Sequence, residues 1–204
     1  HTKGFTYNTS SKVPSLSDCD LTYESGDAKK GKCIETCVLS VDIRNSVELT
    51  REHDTETMGR IYTAFTKGVL NAAREHDGYV RNIIGDRVMV VFPVSNCFVN
   101  AVNCAITINH ISQIINEIFT SVDFHCGIGV DYGEMRVIKV GIERKGNENT
   151  ENKGLVWVGK PANLASRLTD FAGKTVEDEF YKEKRVLGVK ETELSNARDC
   201  ICFQ

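Results

Sequence analysis

YVRNIIGDRVMVVFP, residues 79–93, reads as two short strands folded on a tight turn. Tyr79–Ile84 and Arg87–Phe92 are rich in β-branched residues, Gly85-Asp86 is a hairpin dipeptide, and Pro93 ends the second strand. Just ahead of it, Asp77-Gly78 stops a helix predicted from about Asp54 to His76. There Met58, Ile61, Tyr62, Phe65, Val69, Leu70 and Ala73 recur at helical spacing and make one apolar face. Further upstream Thr36–Ile43, TCVLSVDI, is an apolar run with one acid near its end, the pattern of a buried central strand, and RNSVELT after it is turn-like. Downstream, Ser95 caps a second helix from Asn96 to about Phe119, apolar at Val99, Val102, Ile106, Ile111, Ile114, Ile115 and Ile118. Phe124–Asp131 and Glu134–Val140 are a further strand pair, and Leu155–Val158 is one more strand. Pro161 opens a third helix that runs to about Phe171, with Gly173 closing it. Strand, helix, strand, strand, helix, strand, strand predicts an α+β domain: a ferredoxin-like βαββαβ unit with additional strands.

Around that core the chain is less patterned. Residues 1–32 are polar and read as an N-terminal lead-in with one short strand near Leu21–Tyr23. Residues 33–204 are expected to form the main domain, its core at about 36–172, with a polar loop at Glu143–Lys153. The charged last thirty residues suggest one amphipathic helix and a short strand at Cys200–Phe203. With 204 residues, 41% hydrophobic and 26% charged, one globular domain has material for a normal core. A net charge of −3 carries no basic excess for nucleic acid, and no apolar run approaches the roughly 20 residues that span a bilayer. The chain opens HTKGFTYNTS, so no signal peptide is expected, and His1 in place of Met implies missing upstream sequence. Of 8 cysteines, Cys37, Cys97, Cys104 and Cys126 sit in apolar periodic segments, which fits reduced thiols in a cytoplasm. The Cys33/Cys37 and Cys200/Cys202 pairs lack the partners of a structural zinc motif.

Two acids stand out by position. Asp42 lies near the end of the central strand and Asp86 in the hairpin beside it, so both carboxylates reach one point. Paired buried carboxylates repel unless a cation or proton lies between them, and Mg2+ or Mn2+ suits such hard oxygen ligands. Read alone, Asp86 is a turn residue and Asp42 a strand-end cap. Then Asn163 and Arg167 fall at i and i+4 in VGKPANLASRL, on one helix face. Together they offer several donors and a permanent positive charge, suited to a ribose and a phosphoryl group. His53, His76, His110 and His125 share no spacing, and Arg136, Lys139 and Lys160 read as solvated charges.

Four segments together resemble the class III nucleotidyl cyclase catalytic domain: VLSVDIRNSVEL, YVRNIIGDRVMVVFP, CGIGVDYGEMRVIKVG and VGKPANLASRL. The last is the most specific, matching the family's G-x-x-x-N-x-x-x-R helix. The resemblance implies that Asp42 and Asp86, with the Ile43 carbonyl, hold two divalent ions, Mn2+ or Mg2+. It implies that the backbone amides of Arg44, Asn45, Ser46 and Val47 cradle phosphates. Arg167 would neutralise charge on the α-phosphoryl group, and Asn163 would orient the ribose. Family enzymes are head-to-tail dimers, with the acids from one subunit and the Asn/Arg pair from the other. This chain carries both halves, so a homodimer with two composite sites is implied.

The base pocket departs from the purine enzymes. The resemblance puts Asn82 where they carry Lys or Glu, and Val156 where they carry Asp, Thr or Cys. An Asn amide offers a donor beside an acceptor, which complements uracil, or cytosine if it rotates by about 180°. Asn82 thus fits a pyrimidine without choosing between the two; UTP is slightly favoured over CTP, with ATP as the alternative. The DIRNS loop and the polar lead-in are similar to the bacterial Pycsar pyrimidine cyclases of antiphage defence, whose cyclic UMP or cyclic CMP activates a separate effector. A catalytically silent cyclase-like domain is the reading of another class, against which the retention of all four polar residues argues. Trp157 alternates to the face opposite Val156. The family's phosphate-binding Lys of the tail is not recognisable among Lys174, Lys182, Lys184 and Lys190.

Overall fold

A computed structural model describes residues 5–23, 29–141, 153–172 and 201–203. Along these run β1 (Phe5–Thr9), β2 (Lys29–Ile43), α1 (Ser46–Glu52), α2 (Thr55–Glu75), β3 (Tyr79–Ile84), β4 (Arg87–Val91), α3 (Cys97–Ile118), β5 (Cys126–Gly141), β6 (Lys153–Val158), α4 (Lys160–Thr169) and β7 (Ile201–Phe203). The main sheet has the order β3-β4-β2-β5-β6, antiparallel throughout. Its first four strands are the ferredoxin-like order expected from the sequence. β1 adds parallel to the start of β2, and β7 pairs with β5 at Ile128–Val130.

Strand alternation divides the sheet into two faces. On one, Cys37, Leu39, Val41 and Ile43 of β2 join Val88 and Val90 of β4 and Ile128 and Val130 of β5. Helices α2 and α3 cover this face with Met58, Ile61, Phe65, Val69, Ala101, Cys104, Ala105 and Ile108. At its centre Phe65 and Phe124 are fully buried, with ring centroids 5.3 Å apart. Asp54 starts α2 by accepting from the Thr57 amide at 2.9 Å. On the other face, Ile34, Val38, Met135 and Val137 pack with Ala165 of α4 and with Leu21. That face carries the site.

Helix α4 sits unusually close to β5, and two glycines permit it. A Cβ at Gly127 would lie 2.2 Å from the Thr169 carbonyl, and one at Gly129 would lie 2.2 Å from that of Ala165. A guanidinium nitrogen of Arg44 also donates to the Thr169 carbonyl at 2.9 Å.

Several sequence expectations need correction. RNSVELT is not a plain turn: it contains α1, whose one buried side chain, Leu49, is too little to register as a periodic face. The expected pair at 124–140 is one strand, β5, which runs 16 residues through Gly133. β2 starts at Lys29 rather than near Thr36, and the N-terminal strand is β1, not Leu21–Tyr23. Leu21 is buried all the same, and Lys32 holds its segment through Asp18 and, at 3.4 Å, Asp20. On α3 the apolar face expected from bulky residues is largely the outer one: Val99, Ile106, Ile114 and Ile118 are exposed. The inner face is Cys97, Ala101, Cys104, Ala105, Ile108, Ser112 and Ile115. The Glu143–Lys153 loop, apart from Lys153 itself, lies outside the described residues, as do the helix expected in the tail and Lys174, Lys182, Lys184 and Lys190.

Candidate active site

A cleft of about 520 Å³ opens where the β2–β4–β3 face meets α4. Ser40 and Asp42 reach it from β2, Arg87 and Met89 from β4, Asn82 and Ile84 from β3, and Asp86 from the hairpin turn. Ala162, Asn163 and Ser166 close it from α4. Alternation explains the set: Asp42 follows Val41 and precedes Ile43, both in the core, so its carboxylate faces the other way. Gly85 makes the turn, with φ at 62°, in the left-handed region that glycine adopts without strain.

Asn82 reaches the cleft through a backbone irregularity. Val80 pairs with Val90, but the next register pair is Asn82 with Met89, so Arg81 is a bulged extra residue. Without it Arg81 would face Met89. The bulge sends the Arg81 guanidinium over the Tyr79 ring at 5.0 Å and leaves its Nε buried without a hydrogen-bond partner among the described residues.

The electrostatics centre on Asp42. Burial pushes its carboxyl above the ordinary carboxylate value, and the charges of Asp86 and Asp170 push the same way, against hydrogen bonds from Arg87. Arg87 donates from Nε to Oδ2 of Asp42 at 3.0 Å and from a second guanidinium nitrogen to the same oxygen. It also donates to the Ser166 hydroxyl at 2.6 Å and lies 3.6 Å from Asp170. Asp42 therefore already holds one cation, and two carboxylates in one cleft suit a hard divalent ion that takes its remaining ligands from water and phosphate. No cluster of three or more His, Cys, Asp or Glu forms a metal site among the described residues.

The other expected residues are more dispersed. Ile43 is buried at the end of β2. The Arg44 amide already donates to the His125 carbonyl at 2.8 Å, so of the four amides expected to cradle phosphate this one is engaged. Arg44 and Asn45 line a second cavity of about 550 Å³ with Asn109, Ser112, Gln113 and Asn116 of α3. Asn45 is left-handed at φ 51° and stands at the N-terminus of α1, where Ser46 and Val47 begin the helix. Asn163 and Arg167 both lie exposed on α4, but only Asn163 lines the cleft. Val156 is exposed on β6, opposite Ile138, outside the cleft lining; Trp157 packs on the other face. Cys37, Cys97, Cys104 and Cys126 are buried free thiols. Burial raises Cys104 to about 12 and Cys126 to about 11, and raises Cys37 as well.

Two residues escaped the sequence reading: Arg87 and Ser166. The signal for Arg87 was present, since Val41 pairs with Val88 and the next opposed positions are Asp42 and Arg87. Ser166 sits inside VGKPANLASRL, three residues after Asn163, on the turn that faces the sheet.

No protein-family model matches the chain. It is 31% identical over 164 residues to a uridylate cyclase of Burkholderia cepacia, covering 76% of this chain and 66% of that protein. A uridylate cyclase of Rhodovulum sp. (strain MB263) is 28% identical over 190 residues, covering 84% and 74%. The chain thus spans about two thirds to three quarters of these relatives' length. Among solved structures, the adenylyl cyclase CyaB from P. aeruginosa superposes with a TM-score of 0.60 at 20% identity, over 69% of this chain and 73% of that one. The guanylyl cyclase Cya2 gives 0.60 at 20% identity, over 69% and 72%. The fold is theirs, and with the uridylate cyclase matches it shows that the chain belongs to the class III nucleotidyl cyclases, a family of lyases.

Proposed function

We propose that the protein cyclises a pyrimidine nucleoside triphosphate, UTP ahead of CTP, to its 3′,5′-cyclic monophosphate and pyrophosphate. The observation that carries this is the single cleft holding Asp42 and Asp86 with Asn82, in a chain whose relatives are named uridylate cyclases. Asp42 and Asp86, with the Ile43 carbonyl as a further ligand, would hold two Mg2+ or Mn2+ ions. Bound there, the ions supply the Lewis acidity that lowers the pKa of the ribose 3′-hydroxyl and neutralises the triphosphate. The 3′-hydroxyl releases its proton to solvent, its oxygen attacks the α-phosphorus in line, and the bond to pyrophosphate breaks as pyrophosphate leaves. The amides of Asn45, Ser46 and Val47 at the start of α1 hold phosphate oxygens. Arg167 neutralises charge developing on the α-phosphoryl group and Asn163 orients the ribose.

The protein works as a homodimer whose two sites are composite, the acids from one subunit and α4 from the other. The exposure of Asn163 and Arg167 on α4, and of Ile84 at the cleft, supports a second copy against this face. Asn82 forms the base edge in this cleft, pairing with the polar edge of the pyrimidine. The cyclic product is a second messenger read by a separate effector in antiphage defence. Purified protein given Mn2+ and equimolar UTP, CTP, ATP and GTP tests the substrate: cyclic UMP should be the main product. Cyclic AMP forming fastest would overturn the pyrimidine assignment.

A further inference from the structure

Arg87 is the first residue of β4, directly after Asp86, and its guanidinium joins two elements. Two of its nitrogens hold Oδ2 of Asp42 on β2. The third donates to Ser166 of α4 at 2.6 Å, and Asp170 just past that helix lies 3.6 Å away. The Arg87 side chain is 38% exposed and that of Asp42 18%, so the pair is shielded but open to competitors from the cleft. An arginine stays charged at any working pH, so this contact is released only by competition for the carboxylate.

We propose that Arg87 is a built-in cation latch: it occupies Asp42 and ties it to the chain's own α4, and a divalent ion reaches the acid pair only by displacing it. The proposal rests on the reading that Asp42 and Asp86 bind metal. Two consequences follow from the geometry. The guanidinium takes one carboxylate oxygen outright and places a positive charge where a dication must approach. Displacing it also frees Ser166, one of the holds on α4 beside the Arg44–Thr169 bond, so loading the acids and loosening the helix that carries Asn163 and Arg167 are one event. A guanidinium that merely oriented Asp42 for the metal would act with the opposite sign, because its removal would weaken metal binding.

Mn2+ titration of the full chain without nucleotide, followed by the electron paramagnetic resonance signal of free Mn2+, separates these. Thermal unfolding checks that each variant is folded. Arg87→Met should bind Mn2+ about tenfold more tightly than the wild type. Arg87→Lys, which keeps the charge but loses the fork, should fall between them, and Ser166→Ala should tighten binding about twofold. Asp86→Ala is the control for the metal reading. Mn2+ binding equal in the wild type and Asp86→Ala would contradict that reading and the latch with it. Binding lost in Asp86→Ala yet unchanged or weakened by both Arg87→Met and Arg87→Lys would contradict the latch alone.

Discussion

At the scale of single residues, Asp42 and Asp86 owe their meeting to the pairing of β2 with β4 and to the tight turn after β3. Replacing either with Ala should lower turnover on the order of 10³-fold or more, since the loss of a group that helps activate the nucleophile costs several kcal/mol of barrier. Steady-state rates with UTP and Mn2+ check this, and activity within tenfold of wild type in either variant would sink the two-metal reading. Asn82→Ala should lower kcat/KM for the preferred pyrimidine about tenfold to a hundredfold and narrow its lead over the other bases, because the polar edge of the bound base loses its partner. Measuring kcat/KM for all four triphosphates shows whether the loss is confined to the pyrimidine. Asp42 stood out in the sequence because a lone charge in an apolar strand is an anomaly. Asp86 alone reads as a turn residue, and was singled out by its place beside that strand and by the family resemblance. The path by which Asn82 reaches the cleft was not legible: it needs the bulge at Arg81, and no local pattern in YVRNII marks an extra residue. Arg87 was passed over because a charge at a strand start reads as solvated until the strand opposite it is known.

At the scale of elements, helix α4 is placed by the absence of side chains beneath it. Gly129→Ala would drive a methyl against the Ala165 carbonyl, now 2.2 Å from that position, and the helix must shift outward. Unfolding in urea should show a loss of about 1–3 kcal/mol or more. Activity should fall further than stability, since Asn163 and Ser166 move with the helix, and a variant with unchanged stability and rate would contradict the close packing. The helices and strands themselves were largely legible from period and punctuation. The inner face of α3 was not. Its core contacts include Ala101, Cys104 and Ala105, small residues that let the helix lie close to the sheet beside Ile108 and Ile115, while Ile106, Ile114 and Ile118 point outward. A reading that weighs bulk finds the wrong stripe when packing demands small side chains. The continuous β5 escaped for a related reason: Tyr132-Gly133 looks like a turn, and the glycine, with φ at 154°, is instead accommodated within the strand.

At the scale of the whole molecule, one copy presents acids and α4 in the same cleft, yet offers Arg167 on an exposed surface outside it. No sequence pattern decides whether an acid pair works with its own helix or with another copy's, because both are encoded by the same residues. Fold order survives this ambiguity, as it rests on local period and on right-handed connection rules that act within one chain. The division of the site between copies does not. The direct test mixes two inactive homodimers, Asp42→Ala and Arg167→Ala, under conditions where subunits exchange, and measures cyclic nucleotide formed from UTP and Mn2+. With composite sites, half of the dimers are mixed and each has one intact site, so about a quarter of the wild-type rate should return. No recovery despite proven exchange would show that the acids and α4 of each site belong to the same chain, and would contradict the shared site.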